Sequence, residues 1–123
     1  MSKVYITQEV SAVDYGPATK YGDLVFVTNY NDRLSPHPSS TSNKDIVELI
    51  QQRLKNFTAD DYLICTGAPA IMALCGTVLG NRLRKLLIWD NRSFGYFAVG
   101  LPSFYTSDDN DESMGFLFRG DKQ

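Results

Sequence analysis

From Asn43 to Asn56 the chain places Ile46, Leu49, Ile50 and Leu54 at helical spacing, with Lys44, Glu48, Gln51, Gln52 and Lys55 on other faces and Phe57 extending the apolar row. That spacing predicts an amphipathic helix, and Ser42 followed by Asp45 resembles a capping pair at its start. A second segment behaves differently. Ala70 through Leu79 is apolar nearly all round, Pro69 suits a first helical turn, and Gly80-Asn81 suits a left-handed cap. This predicts a mostly enclosed helix, in which Gly76 would allow close approach of another backbone. Short β-branched and aromatic runs predict strands at Leu24–Thr28, Tyr62–Cys65 and Leu86–Trp89, the first of them buried on both faces. Val4, Ile6 and Val10 alternate with polar residues between Lys3 and Ser11, which predicts a half-exposed strand. Asp90-Asn91-Arg92-Ser93, then Gly95 and Tyr96–Val99, reads as a hairpin return. Asp14–Asp23, with Gly and Pro, reads as a loop holding at most one helical turn, and Asn29–Ser42 as an irregular connection.

Strand, helix, strand, helix, strand, hairpin implies one small α/β (or α+β) domain over residues 1–102. A mixed sheet of about four to five strands is covered by two helices and ends in a hairpin. Residues 103–123 then form an extended tail, an acidic linker followed by the apolar cluster Met114, Phe116, Leu117 and Phe118. The 123 residues suit one domain, and 43% apolar with 21% charged residues is a globular balance. No apolar run approaches the ~20 residues of a membrane span, and the first residues lack a signal peptide's apolar stretch, so a cytoplasmic location is expected.

Net charge is −2, which gives no global field to gather nucleic acid. Its distribution is more telling: residues 1–106 hold ten Lys/Arg against nine Asp/Glu, while Asp108, Asp109, Asp111 and Glu112 concentrate the acidity in the tail. Arg82, Arg84, Lys85 and Arg92 make a basic rim around the hairpin, a solvated edge or a partner for that acidic linker. With Trp89, Tyr96 and Phe97 nearby, stacking of bases is conceivable, but nucleic-acid binding is not the expectation.

Candidate chemistry is sparse. Cys65 and Cys75, with nine residues between them, match no zinc spacing, and apolar surroundings predict buried, inert thiols. His37, between Pro36 and Pro38, has no second histidine with which to hold a metal or complete a nucleophilic triad. No metal, no cofactor and no catalytic residue are therefore assigned. Asp60, Asp61 and Asp90 are read as turn and capping residues. The strand-to-helix turn Thr66-Gly67-Ala68-Pro69 is the best ligand candidate, since such turns lie beyond the carboxyl ends of strands and at a helix N-terminus. It lacks the glycines and lysine of a phosphate loop, and Pro69 removes a donor, so a plain tight turn competes with a site formed by Thr66, Gly67, Ala68 and, on the same edge, Asp90.

The stretch from about Asp14 to Val99 resembles a group of short proteins of unknown function encoded by tailed bacteriophages, particularly marine ones. The likeness rests on Pro17-Ala18 with Tyr21-Gly22, on Leu34-Ser35-Pro36, on Asp60-Asp61-Tyr62-Leu63 leading to Gly67 and Pro69, and on Lys85-Leu86-Leu87 followed by Trp89-Asp90 and Tyr96. Ala68 stands where an acidic residue is usual, Asn91-Arg92-Ser93 replaces a charged run, and the tail beyond Pro102 has no counterpart. The resemblance implies a viral origin, hence the host-cell cytoplasm, and an accessory role without carrying over a catalytic residue. Two functions follow as expectations. The first is non-enzymatic protein–protein contact, as a homo-oligomer or with a host or viral protein; the alternative is binding or sequestering a nucleotide or other anion at Thr66–Pro69. The apolar tail either folds back on its own domain or docks on a neighbouring copy or another protein.

Overall fold

The computed structural model describes residues 1–37 and 41–102. Five strands, β1 (Lys3–Gln8), β2 (Asp23–Thr28), β3 (Tyr62–Ile64), β4 (Lys85–Asp90) and β5 (Gly95–Gly100), form one sheet in the order β2-β1-β3-β4-β5. The first four in that order are parallel, and β5 returns antiparallel beside β4. Two helices, α1 (Thr41–Leu54) and α2 (Pro69–Leu79), join β2 to β3 and β3 to β4, and a 3₁₀ segment, Gly16–Tyr21, joins β1 to β2. This is the small α/β domain with a mixed sheet that the alternation of elements predicts.

The strand order reverses at β1. The chain leaves β1 towards β2, then crosses back over β1 to reach β3, so right-handed connections put α1 and α2 on one face and the 3₁₀ segment on the other. Two cores result. Tyr5, Val27 and Leu63 meet Ile46, Ile50 and Leu54 of α1 and Ile71, Cys75 and Leu79 of α2 on the helix face. Val4, Ile6, Ile64 and Leu87 meet Tyr15 and Ala18 on the opposite face.

This layout corrects three expectations. β1 is not half-exposed: it is the second strand in, and every residue from Val4 to Gln8 is buried, the polar Thr7 and Gln8 included. β2 is not a doubly buried strand but a sheet edge, with Leu24, Val25 and Phe26 half-buried. The third concerns α2, which buries a single stripe, Ile71, Cys75 and Leu79, while Ala70, Ala73 and Thr77 are exposed. Its apolar outer flank is uncovered among the described residues, and a Cβ on Gly76 would point into open space. Gly80 does end the helix with its N–H donating to Gly76 O, but at φ 54° and ψ −129° it lies outside the left-handed helical conformation expected of the cap.

Candidate functional site

The ligand position of such a sheet is the crevice where strand order reverses, between the carboxyl ends of β1 and β3. Here Gln8 occupies it. Its side chain is buried; Nε2 donates to Asp32 O (2.8 Å) and Asn29 O (3.1 Å), and Oε1 accepts the N–H of Ala68 (2.8 Å). One amide thus ties β1, the loop after β2 and the first turn of α2 together, and it uses a donor that an anion there would need. Gly67 has φ 98°, and a Cβ on it would collide with the Gln8 side chain, so glycine is required by both backbone and space. A crevice of about 620 Å³ remains outside this plug, edged by Glu9, Ser11, Tyr30 and Arg33.

Thr66 is held just as firmly. Thr7 Oγ1 donates to Thr66 O (2.6 Å) and accepts its N–H (3.0 Å), while Thr66 Oγ1 donates to Gln8 O (2.7 Å) and lies 2.8 Å from the Tyr15 hydroxyl. These bonds draw the end of β3 towards β1 and away from β4. Accordingly β3 and β4 share one registered pair, Leu63↔Leu86, and beyond it the strands part. The gap is an apolar cleft of about 580 Å³, floored by Val13 and walled by Ile64, Cys65, Leu87, Trp89 and Tyr96. Burial, with Tyr15 and Asp14 nearby, raises the Tyr96 phenol above its ordinary pKa.

Around the cleft the β4–β5 hairpin leaves large apolar side chains in water: Ile88 is 40% exposed, Trp89 38%, Phe97 46% and Phe94 74%. The register sorts them. Trp89 opposes Tyr96, with ring centroids 5.2 Å apart, on the face of the cleft, whereas Ile88 opposes Phe97 on the helix face. Phe94, in the turn between the strands, has φ 53°, a left-handed backbone that costs a side chain of its kind about 1 kcal/mol. An exposed aromatic held in a strained turn is a stronger pointer to contact than an exposed strand residue.

The remaining predicted residues scatter. Asp90 shares the carboxyl edge of the sheet, but its carboxylate accepts from Arg92 N (3.1 Å) and Ser93 Oγ (2.9 Å), closing its own hairpin. Asp61 is buried at the opposite edge, where it accepts from Lys3 N (2.8 Å) and Thr58 N (2.8 Å). The basic rim is not one cluster. Arg82 donates to Leu54 O, Phe57 O and Val78 O, capping the end of α1; Arg84 Nε donates to Leu101 O; and the Lys85 ammonium lies 4.8 Å from the centroid of the Tyr62 ring. Arg92 sits at the other end of β4, about 17 Å of strand away. Cys75 is buried as expected, but Cys65 is exposed on the cleft wall, because β3 ends at Ile64. Its apolar neighbours still push its thiol pKa up, which keeps it protonated and unreactive at neutral pH. No group of three or more His, Cys, Asp or Glu among the described residues could hold a metal ion, and no described helix is long and apolar enough to cross a membrane. Met114, Phe116, Leu117 and Phe118 lie outside the described residues.

Sequence reasoning missed Thr7, Gln8, Tyr15 and Phe94. Their signals were a polar pair ending an apolar strand and an aromatic in a turn position that favours Gly or Asn. No curated protein and no solved structure matches the chain. A family model does: residues 2–102 match the Phage Pam3 gp32-like protein family, and the chain therefore belongs to that phage protein family.

Proposed function

We propose that this phage protein acts through protein–protein contact rather than catalysis, at the carboxyl end of the β4–β5 hairpin, with a second copy of the chain as the partner. The observation that carries this reading is the pairing of an open apolar cleft walled by Trp89 with Phe94, exposed in the strained turn of the same hairpin. An aromatic rim beside an apolar recess is the composition of an interface centre. The groups able to do chemistry nearby are engaged in the fold: the Thr66 hydroxyl with Gln8 and Tyr15, and Asp90 with its own turn. The second reading, an anion or nucleotide beside Thr66, Gly67 and Ala68, has the right position in the sheet, but Gln8 takes the Ala68 N–H.

The test is light scattering of the full chain over a concentration series beside Trp89→Ala and Phe94→Ser. The expected outcome is a mass that rises with concentration and falls back to the monomer in both variants. A full chain that stays monomeric at every concentration refutes contact between copies. A thermal shift with nucleotides that survives Phe94→Ser would favour the second reading instead.

A further inference from the structure

The helix layer stops short of the sheet. α1 packs over β2 and α2 over β1, and the core beneath them reaches β3 through Leu63 and fades at Leu86, which is half-buried. Beyond it nothing described covers the helix face of the hairpin. The cross-strand pairs Leu86↔Val99 and Ile88↔Phe97 line that face, with Ile88 40% and Phe97 46% exposed. α2 also leaves a flank uncovered among the described residues, at Ala70, Ala73 and Thr77. Where the helix layer ends before the hairpin, it leaves a step between an apolar helix flank and an apolar strand face. A second copy with its own protruding helix layer would suit that step less well than the cleft at the carboxyl edge.

We infer that this step is the docking site of the chain's own C-terminal segment, with Met114, Phe116, Leu117 and Phe118 laid against Ile88, Phe97 and Val99. The chain leaves the sheet at the foot of this face: Leu101 N donates to Arg84 O (2.7 Å), and Gly100 pairs with Lys85. From Pro102, twelve residues lead to Met114, a reach of up to ~40 Å when extended, against the ~10 Å from Gly100 to Phe97. Tethering at that length gives an effective concentration on the order of millimolar, which favours the same molecule over a neighbour. Charge agrees. Asp108, Asp109, Asp111 and Glu112 fall between the exit and the apolar cluster, and Arg84 stands at the exit, whereas Lys85 turns to the opposite face over the Tyr62 ring. Four carboxylates in that place hold the segment near the sheet in a salt-sensitive way.

Methyl-labelled full chain at low concentration tests this by NMR. Nuclear Overhauser contacts from the Ile88 and Val99 methyls to aromatic protons of Phe116 and Phe118 are expected. In the full-length double variant Phe116→Ser, Phe118→Ser those contacts vanish and the Ile88 and Val99 shifts move, while Val4 and Ile50, deep in the two cores, keep theirs and report an intact fold. The inference is overturned if no such contacts exist and the shifts stay put. It is equally overturned if the contacts run to Val13 and Leu87 in the cleft, or appear between differently labelled copies and fade on dilution. Self-association is read separately, from mass and from Trp89 and Phe94, so either proposal can fail alone.

Discussion

The ends of β1 and β4 lie on the same edge of the sheet with β3 between them, and their side chains meet opposite fates. At the end of β1, Gln8 satisfies three backbone groups from two other segments, and Thr7 exchanges two hydrogen bonds with Thr66. No buried side-chain nitrogen or oxygen among the described residues lacks a partner. At the end of β4, apolar groups are left in water and the cleft beside them is open. The two are coupled, since the bonds that draw Thr66 to β1 are what part β3 from β4. The usual ligand crevice is filled by an amide, and the strand end two places over is bared.

The comparison breaks first at Gln8. Gln8→Leu keeps the volume but leaves the Ala68 N–H and the Asn29 and Asp32 carbonyls short of a partner, so urea unfolding should show a loss of about 3 kcal/mol. Ile88→Thr, an equally polarity-changing substitution on the bared side, should stay within ~0.5 kcal/mol. Similar costs at the two positions would mean that the β4 end is as structural as the β1 end.

The sequence disclosed the parts of the fold that rest on periodicity and hid those that rest on pairing. α1 follows from Ile46, Ile50 and Leu54, and the hairpin from the polar turn between Trp89 and Tyr96. Strand order does not follow from composition: β1 read as half-exposed because Val4, Ile6 and Val10 alternate with polar residues, yet Thr7 and Gln8 are buried against partners from distant segments. α2 read as enclosed because it is apolar all round, yet it buries one stripe and leaves the other flank bare among the described residues. The turn at Thr66 was legible as a place, but the residue that fills it, Gln8, is 58 positions away from Thr66, and no local pattern joins them.

A smaller effect of opposite sign sharpens the contrast at Phe94. Glycine adopts φ 53° freely, so Phe94→Gly removes backbone strain, partly offset by the greater freedom of the unfolded chain. Thermal unfolding of the variant should show a gain of ~0.5 kcal/mol, while its association in the light-scattering series weakens. Stability and contact moving in opposite directions is the signature of a residue retained for contact. A loss of stability instead would place the Phe94 ring in the packing of the hairpin.

The least visible difference lies in the two thiols, and pH brings it out. Burial, with Cys65 adding a little, pushes Cys75 up to about 12 from the 9.0 of an unperturbed thiol, so the folded chain keeps a proton that the unfolded chain gives up. A raised native pKa contributes stability that is complete below the unfolded value and is lost as pH climbs towards the folded one. Stability should therefore be flat from pH 7 to 8 with respect to this group and decline between about 9 and 12. Cys65, exposed on the cleft wall, has its pKa raised without the same enclosure, and its contribution to that slope should be the weaker. Denaturant midpoints at pH 7.5 and 10 for Cys75→Ala and Cys65→Ala separate them. Cys75→Ala costs stability at both pH values through the cavity it leaves, but it narrows the gap between the two midpoints more than Cys65→Ala does. An unchanged gap in Cys75→Ala would show that the thiol ionises in the fold as readily as in water, and that α2 is seated more loosely on the sheet than its buried stripe implies.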